Sequence, residues 1–255
     1  MHPADRVTEF APISLDQVSD AELLRRIDRK FLLEEAGLRD LLGGCLGEYR
    51  VLEVGGNRLR RYLTRYFDTA DFALYHAHHA GRLPRSKVRI RQYLDTGERY
   101  LEVKRRTNTG RADKARLPIP ADATAPLDRL DGLAPDLSRA TRDSLREVLT
   151  VAYTRITLVH LTAPERMTVD IELELTAGDH TAAFPSVAFV EVKQSRWGGS
   201  PSIGLLRELG AQEGSISKYS LGVASLIDGV RTNFFKEAAA RVHRIGAAED
   251  VRAPV

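Results

Sequence analysis

The chain has 255 residues, 43% hydrophobic and 29% charged, with a formal net charge of +3; this excludes a disordered chain and a generically basic nucleic-acid coat. Its single cysteine, Cys45, excludes an internal disulfide and a multi-cysteine zinc site, and no apolar run is long enough to span a bilayer. Met1-His2-Pro3-Ala4-Asp5 lacks the basic and apolar regions of a signal peptide, so a cytoplasmic protein is the default expectation.

In chain order, residues 1–12 read as an irregular arm. Ser14 to Leu24 reads as a short helix, with Ser14 as N-cap before Leu15, Val18 and Leu23. Arg26 to Leu33 reads as a strand. Glu34 to Leu46 reads as a helix, with Leu38, Leu41, Leu42 and Cys45 on one side. Val51 to Phe67 reads as two strands around the hairpin signal Gly55-Gly56-Asn57. Thr69 to Ala80 reads as a short helix. Lys87 to Leu94 and Arg99 to Arg106 are strands flanking the tight turn Asp95-Thr96-Gly97, and a further turn at Thr107 to Gly110 leads into Ala112 to Ile119. Residues 120–137, rich in Pro, Asp and Ala, read as a loop. Leu137 to Leu149 reads as a helix. Val151 to Leu161 and Arg166 to Thr176 form a strand pair around Pro164, and Ser186 to Lys193 is the last strand. Helices are expected at 201–210 and about 217–242, and a disordered tail from Gly246. No repeat or composition break divides the chain, so residues 1–255 read as a single domain with its core at about 10–225.

Several strands share one grammar. In Lys87-Val88-Arg89-Ile90-Arg91, Leu101-Glu102-Val103-Lys104 and Val190-Glu191-Val192-Lys193, charged residues alternate with aliphatic ones. Side chains alternate faces along a strand, so each segment has one charged and one apolar face. The same parity places Asp28 with Lys30, Lys114 with Arg116, Tyr153 with Arg155 and Thr157, and Arg166 with Thr168, Asp170, Glu172 and Glu174. Taken singly, each is an ordinary half-buried strand with its charges in water. Seven such strands would leave a large apolar area to cover, and the helices are few. A closed sheet with its charged face inward and helices plated outside meets that demand. Both architectures fit the pattern alone. The basic residues are also uneven: of 31 Arg and seven Lys, Lys30, Lys87, Lys104, Lys114 and Lys193 fall in these strands and Lys218 in a candidate binding segment, leaving only Lys236 outside.

The ordered series resembles a known family. Arg26-Ile27-Asp28-Arg29-Lys30-Phe31 resembles the opening Glu-x-Glu-x-Lys strand of the triphosphate tunnel metalloenzymes, the CYTH superfamily. The order of Tyr66-Phe67-Asp68-Thr69, Lys87 to Arg91, Leu101 to Lys104, Tyr153-Thr154-Arg155, Arg166 to Asp170, Val190 to Lys193 and Ser217-Lys218-Tyr219-Ser220 is similar to the VTC-type polyphosphate polymerase branch. The resemblance implies an α+β fold, an antiparallel β-barrel whose lumen binds triphosphate or polyphosphate with Mn²⁺ or Mg²⁺. By motif position it implies phosphate contacts from Lys30, Arg89, Arg91, Lys104, Arg155, Arg166, Lys193 and Lys218. It implies Glu191 as the metal carboxylate, with Asp170 as a second candidate. ATP and polyphosphate would be the partners, with no nucleic acid. A membrane-protein partner is implied because eukaryotic relatives work in membrane complexes.

Arg26 stands where the opening motif has its first acid. The loss of that acid speaks for polyphosphate synthesis from ATP over triphosphate hydrolysis; a binding domain without catalysis is the third alternative. Removing cations from a crowded cationic lumen should leave the fold as stable or slightly more so. His76, His78 and His79 read as surface or helix-packing residues rather than a metal site. Trp197-Gly198-Gly199 reads as a turn, and Gly55-Gly56 is not a phosphate loop because no Lys-Ser/Thr follows.

Overall fold

In the computed structural model, residues 3–19, 27–195, 200–214 and 217–246 are described. Residues 20–24 of the first expected helix, Arg26, the Trp197 turn and the tail beyond Gly246 lie outside them.

Twelve strands join in one sheet. Their order in the chain, with the helices, is α1 (Pro3–Val7), β1 (Pro12–Ile13), α2 (Leu15–Ser19), β2 (Ile27–Glu34), α3 (Glu35–Cys45), β3 (Tyr49–Leu52), β4 (Arg60–Asp68), α4 (Ala73–His79), β5 (Arg85–Tyr93), β6 (Arg99–Arg106), β7 (Ala112–Ile119), α5 (Arg139–Asp143), β8 (Arg146–His160), β9 (Glu165–Ala177), β10 (His180–Phe184), β11 (Val187–Gln194), α6 (Pro201–Glu208), β12 (Gln212–Glu213), α7 (Lys218–Leu226) and α8 (Asn233–Ile245). The hydrogen-bonded path is β12-β2-β11-β9-β8-β4-β5-β6-β7, antiparallel throughout, with a short parallel contact between β1 and β3. The path does not close by hydrogen bonds, but it curls into a barrel-like trough. Among the described residues no helix is long and apolar enough to cross a membrane.

The convex face is plated in two places. Leu38, Leu41, Leu42 and Cys45 of α3, with Ile203 and Leu206 of α6, pack on Ile156, Leu158, Met167, Val169 and Val190. Leu130, Ala134, Leu137 and Leu145 cover Val88, Ile90, Leu101 and Val103. Each buried aliphatic side chain is worth ~1.5–3 kcal/mol, so these layers carry most of the stability.

Six expectations change in detail. The arm at 1–12 contains α1 and β1. The expected helix at 137–149 is only α5, which Ser138 caps through the backbone N–H of Thr141; from Arg146 the β-branched alternation of Val148, Thr150 and Val151 wins, because β4 and β9 offer partners on both sides. Gly55 and Gly56 do turn the chain, with an isolated bridge from Val54 to Asn57 across the turn, but β3 and β4 do not pair with each other. Instead both lie along one edge of the 15-residue β8, end to end. α4 starts late because Phe72 takes a left-handed conformation (φ 55°) and Asp68 accepts the N–H groups of Leu74 and Tyr75. The strand β10 was not expected. The long C-terminal helix is broken into α7 and α8 at Asp228-Gly229, where Gly229 has φ 75°. Ser14 caps α2 as expected, exchanging hydrogen bonds with Gln17.

Candidate functional site

Register carries the charged residues onto one face, the concave one. Glu191 opposes Lys30 and Thr168; Lys193 opposes Asp28 and Arg166. Arg155 opposes Asp170. Lys87, Arg89 and Arg91 oppose Lys104, Glu102 and Tyr100, and Lys104 and Glu102 oppose Lys114 and Arg116. The two walls face each other. Lys30 on β2 acts electrostatically on Lys87 and Lys104, and Lys104 in turn feels Glu191, although six strand-to-strand steps separate β2 from β6 along the sheet. The eight expected phosphate contacts, Lys30, Arg89, Arg91, Lys104, Arg155, Arg166, Lys193 and Lys218, thus share one trough.

The register shifts at two places, between β4 and β8 at Tyr66-Phe67 and between β8 and β9, and the second moves charged residues off the face. Glu172 and Leu173 together oppose Tyr153, a β-bulge with Glu172 at φ 53°. Beyond it the faces exchange, so Glu172 and Glu174 leave the charged face and Leu173 and Leu175 join the concave side. That side is consequently two surfaces in one: charged toward Arg155 and Lys193, apolar toward Leu149, Val151, Leu173, Val187 and Phe189. α7 lies on the apolar half, burying Tyr219, Leu221 and Val223. Gly222 allows the close approach, because a Cβ there would sit 2.5 Å from a methyl of Leu149. α7 therefore fills one end of the trough, where the resemblance led one to expect helices only outside. Asp68 pins it there, accepting from the hydroxyl of Tyr219 as well as capping α4.

Three acids on the concave side are each held by cations. Asp170 accepts from Arg155 (Nε to Oδ1 2.5 Å, a guanidinium N–H to Oδ2 2.8 Å) and from Lys218 at 2.5 Å. Glu102, 1% exposed, accepts from Arg89 at 2.7 Å and pairs with Lys114 at 2.7 Å. Arg91 and Arg116 lie 3.7 and 3.9 Å from it. Glu191 pairs with Lys193 at 3.0 Å. Burial alone would raise all three carboxyls, but the cations overcome it: Glu191 is held at about 2 by Lys193 and Lys30, and Glu102 and Asp170 lie well below the usual carboxylate range. The lysines respond oppositely. Burial, and then neighbouring cations, lower Lys87 well below the ordinary value and lower Lys104 as well.

Aromatic rings form the floor. Lys218 sits 4.8 Å over Tyr153 and 4.9 Å over Phe189, and Arg155 5.3 Å over Tyr62. Arg89 also donates to the Tyr66 hydroxyl at 3.1 Å. Sequence reasoning assigned no role to Glu102, Lys87, Lys114 or these tyrosines, although strand parity already put Glu102, Lys87 and Lys114 on the charged face. His78, expected to be a surface or packing residue, stacks on Phe235 at 5.6 Å and also accepts from Lys87 at 3.1 Å. Helical spacing gave no signal for that contact.

The donor set limits what a metal could use. Among the described residues no three His, Cys, Asp or Glu side chains converge. Both oxygens of Asp170 are taken by Arg155 and Lys218, so it does not suit a metal. Among the described residues Glu191 has one ion-pair partner, Lys193, and of the three acids it is the one that would suit a divalent ion.

The VTC domain family profile matches residues 25–227. The chain matches no curated protein. A candidate adenylate cyclase from Bacillus halodurans is similar in structure, with a TM-score of 0.51 at 15% identity over 80% of this chain and 98% of that one. A candidate adenylyl cyclase from Hippeastrum, with a dominant triphosphatase activity, aligns with a TM-score of 0.45 at 16% identity over 77% of this chain and 94% of that one. At these identities the likeness concerns the fold alone.

Proposed function

The chain belongs to the VTC domain family, and from that premise we propose that it is a metal-dependent phosphotransferase that moves the terminal phosphoryl of ATP onto a growing polyphosphate chain inside the trough. One observation carries the reading. Cations crowd the concave wall beyond what its carboxylates can neutralise, and Lys30 and Lys104 have no ion-pair partner within 4.0 Å among the described residues. A surface built this way is incomplete without a polyanion.

Phosphoryl transfer asks for positioning and charge neutralisation more than for covalent chemistry. Arg89, Arg91, Arg155 and Lys193 would bind the phosphate oxygens and align donor with acceptor. The Glu102 and Asp170 pairs fix the guanidiniums before substrate arrives, so little reorganisation is needed. A phosphate acceptor is already ionised, and no general base is required. A divalent ion held at Glu191 would neutralise charge on bridged phosphates.

A second reading has its own support. Among the described residues no three acids or histidines converge on a metal, and Asp170 and Glu102 are engaged by cations, which favours a domain that binds polyphosphate without turnover. Incubation with ATP and Mn²⁺, followed by electrophoresis and ADP assay, tests both. Long polyphosphate with ADP is expected. Orthophosphate in step with ADP, and no polyphosphate at any time, would overturn synthesis in favour of hydrolysis; tight polyphosphate binding without turnover would select the binding domain.

A further inference from the structure

At the α7 end of β5 and β6 the rows of side chains pair like charges directly opposite each other, Arg85 with Arg106 and Lys87 with Lys104. Like charges in that position destabilise a sheet. One row along, the same two strands oppose Arg89 to Glu102, an ion pair at 2.6 Å. The uncompensated rows therefore belong to the end that α7 fills. Lys30, on the facing wall, adds a third ammonium to the field at Lys87. No carboxylate lies within 4.0 Å of any of the three among the described residues.

Lys87 is nevertheless held in place, and by neutral groups. Its ammonium donates to Nε2 of His78 at 3.1 Å and to Oγ of Ser217 at 2.9 Å. Burial and the surrounding cations push His78 down to about 3, so it stays an uncharged acceptor. Ser217 is the N-cap of α7 and accepts the backbone N–H of Ser220 at 3.0 Å. An ammonium group has three N–H donors, and two are used. Positioning a half-buried cation with uncharged partners leaves its charge available to something else.

We propose that this end of the trough is a chain-end subsite, in which Lys87, oriented by His78 and Ser217 and joined by Lys104 and Lys30, receives the terminal phosphate of a linear polyphosphate or triphosphate that has entered from the opposite end. The inference rests on the polyphosphate reading above and adds a polarity to it. Internal phosphates of a chain carry one ionisable oxygen each, whereas the terminal one carries two. Three ammonium groups with no carboxylate within 4.0 Å among the described residues thus match the most charged position of the ligand. Toward β4, β8 and β11 the concave side beyond this row is occupied by α7, where Tyr219 stacks on Tyr66 at 5.0 Å, while on β5 and β6 Arg85 and Arg106 continue the cationic face.

Calorimetric titration with linear tripolyphosphate and cyclic trimetaphosphate tests this, because the ring has no terminal phosphate. Lys87→Met is expected to weaken tripolyphosphate binding about tenfold or more, the scale of one charge-assisted contact, with little effect on trimetaphosphate. Lys193→Met, away from this row, measures for each ligand the generic cost of losing one cation and should weaken both. Equal weakening of the two ligands by Lys87→Met, or no weakening of either, overturns the subsite. If the unaltered protein binds neither ligand, the polyphosphate reading itself has failed. Lys87→Met should melt no lower than the parent; if it does not fold, Lys87→Gln is titrated instead, and failure of both to fold marks Lys87 as structural and overturns the proposal.

Discussion

Replacing Glu102 by glutamine keeps the side chain's shape and removes its charge. In the folded protein this carboxylate is 1% exposed, bonded to Arg89 and Lys114 at 2.7 Å, with Arg91 and Arg116 within 3.9 Å. Without it, four cations repel one another across three adjacent strands. Breaking a buried pair by removing one partner costs ~3–5 kcal/mol. Lys114 is 45% exposed and the trough admits water, so a net loss of about 2–4 kcal/mol is the reasoned figure. For a domain of this size that lowers the melting temperature by about 5–10 °C. The sign with pH follows from the depressed carboxyl of Glu102: its contribution is complete above the unfolded value of about 4.3 and fades as pH falls toward its folded value. The variant's deficit should therefore be full at pH 7 and shrink in acid. Because a polyanion would take over the lost neutralisation, tripolyphosphate should raise the melting temperature of Glu102→Gln by more than it raises that of the parent. Differential scanning fluorimetry with and without tripolyphosphate reads both quantities. An unchanged melting temperature for the ligand-free variant, or a smaller ligand-induced shift than in the parent, would refute the view of Glu102 as the internal counter-ion of a phosphate site.

Arg89→Ala and Lys104→Ala should separate, although both remove a cation. Arg89 is paired to Glu102 and bonded to Tyr66, so its loss should destabilise by ~1–3 kcal/mol, whereas Lys104, unpaired among the described residues, should leave the melting temperature level or higher in urea or thermal melts. Glu191→Gln should abolish Mn²⁺-dependent turnover while keeping the fold, checked by activity and circular dichroism; full activity in that variant would remove Glu191 from the metal assignment. Asp170→Asn should loosen α7, since Asp170 ties Lys218 of that helix to β9, and limited proteolysis should then cut nearer the C-terminus than in the parent.

Strand parity was enough to put Lys30, Arg89, Arg91, Lys104, Arg155 and Lys193 on one face, because hydrogen-bonded neighbours in an antiparallel sheet share faces automatically. It could not say whether that face looked inward; the start of α7 bridges the two walls, with Ser217 bonded to Lys87 of β5 and Lys218 to Asp170 of β9, and no local pattern encodes that. Parity also broke at Glu172, where a bulge is a pairing decision between β8 and β9 rather than a property of either segment. The helix expected over Leu137 to Leu149 failed for a related reason: Leu145, Val148 and Leu149 carry a plausible helical spacing, and only the partners offered by β4 and β9 make them a strand. His78 was missed because its partner Lys87 lies on a strand nine residues away, on the far side of a turn. The opening-motif departure at Arg26 falls outside the described residues, so its part in the argument rests on sequence alone.

The chemistry of the concave face changes along the length of single strands, and this explains how so much unneutralised charge is tolerated. β8 carries Leu149, Val151 and Tyr153 on that face before Arg155 and Thr157, and β11 carries Val187 and Phe189 before Glu191 and Lys193. One half of each strand is closed by α7 and contributes burial; the other half is left open to water and contributes charge. Convex layers under α3, α6 and residues 130–145 secure the same strands from behind. Like-charge repulsion at Lys87, Lys104 and Lys30 is thus offset by apolar contacts elsewhere on the same strands. A consequence is that removing those lysines should alter ligand affinity far more than fold stability, whereas truncating Leu149 or Tyr219 should do the reverse.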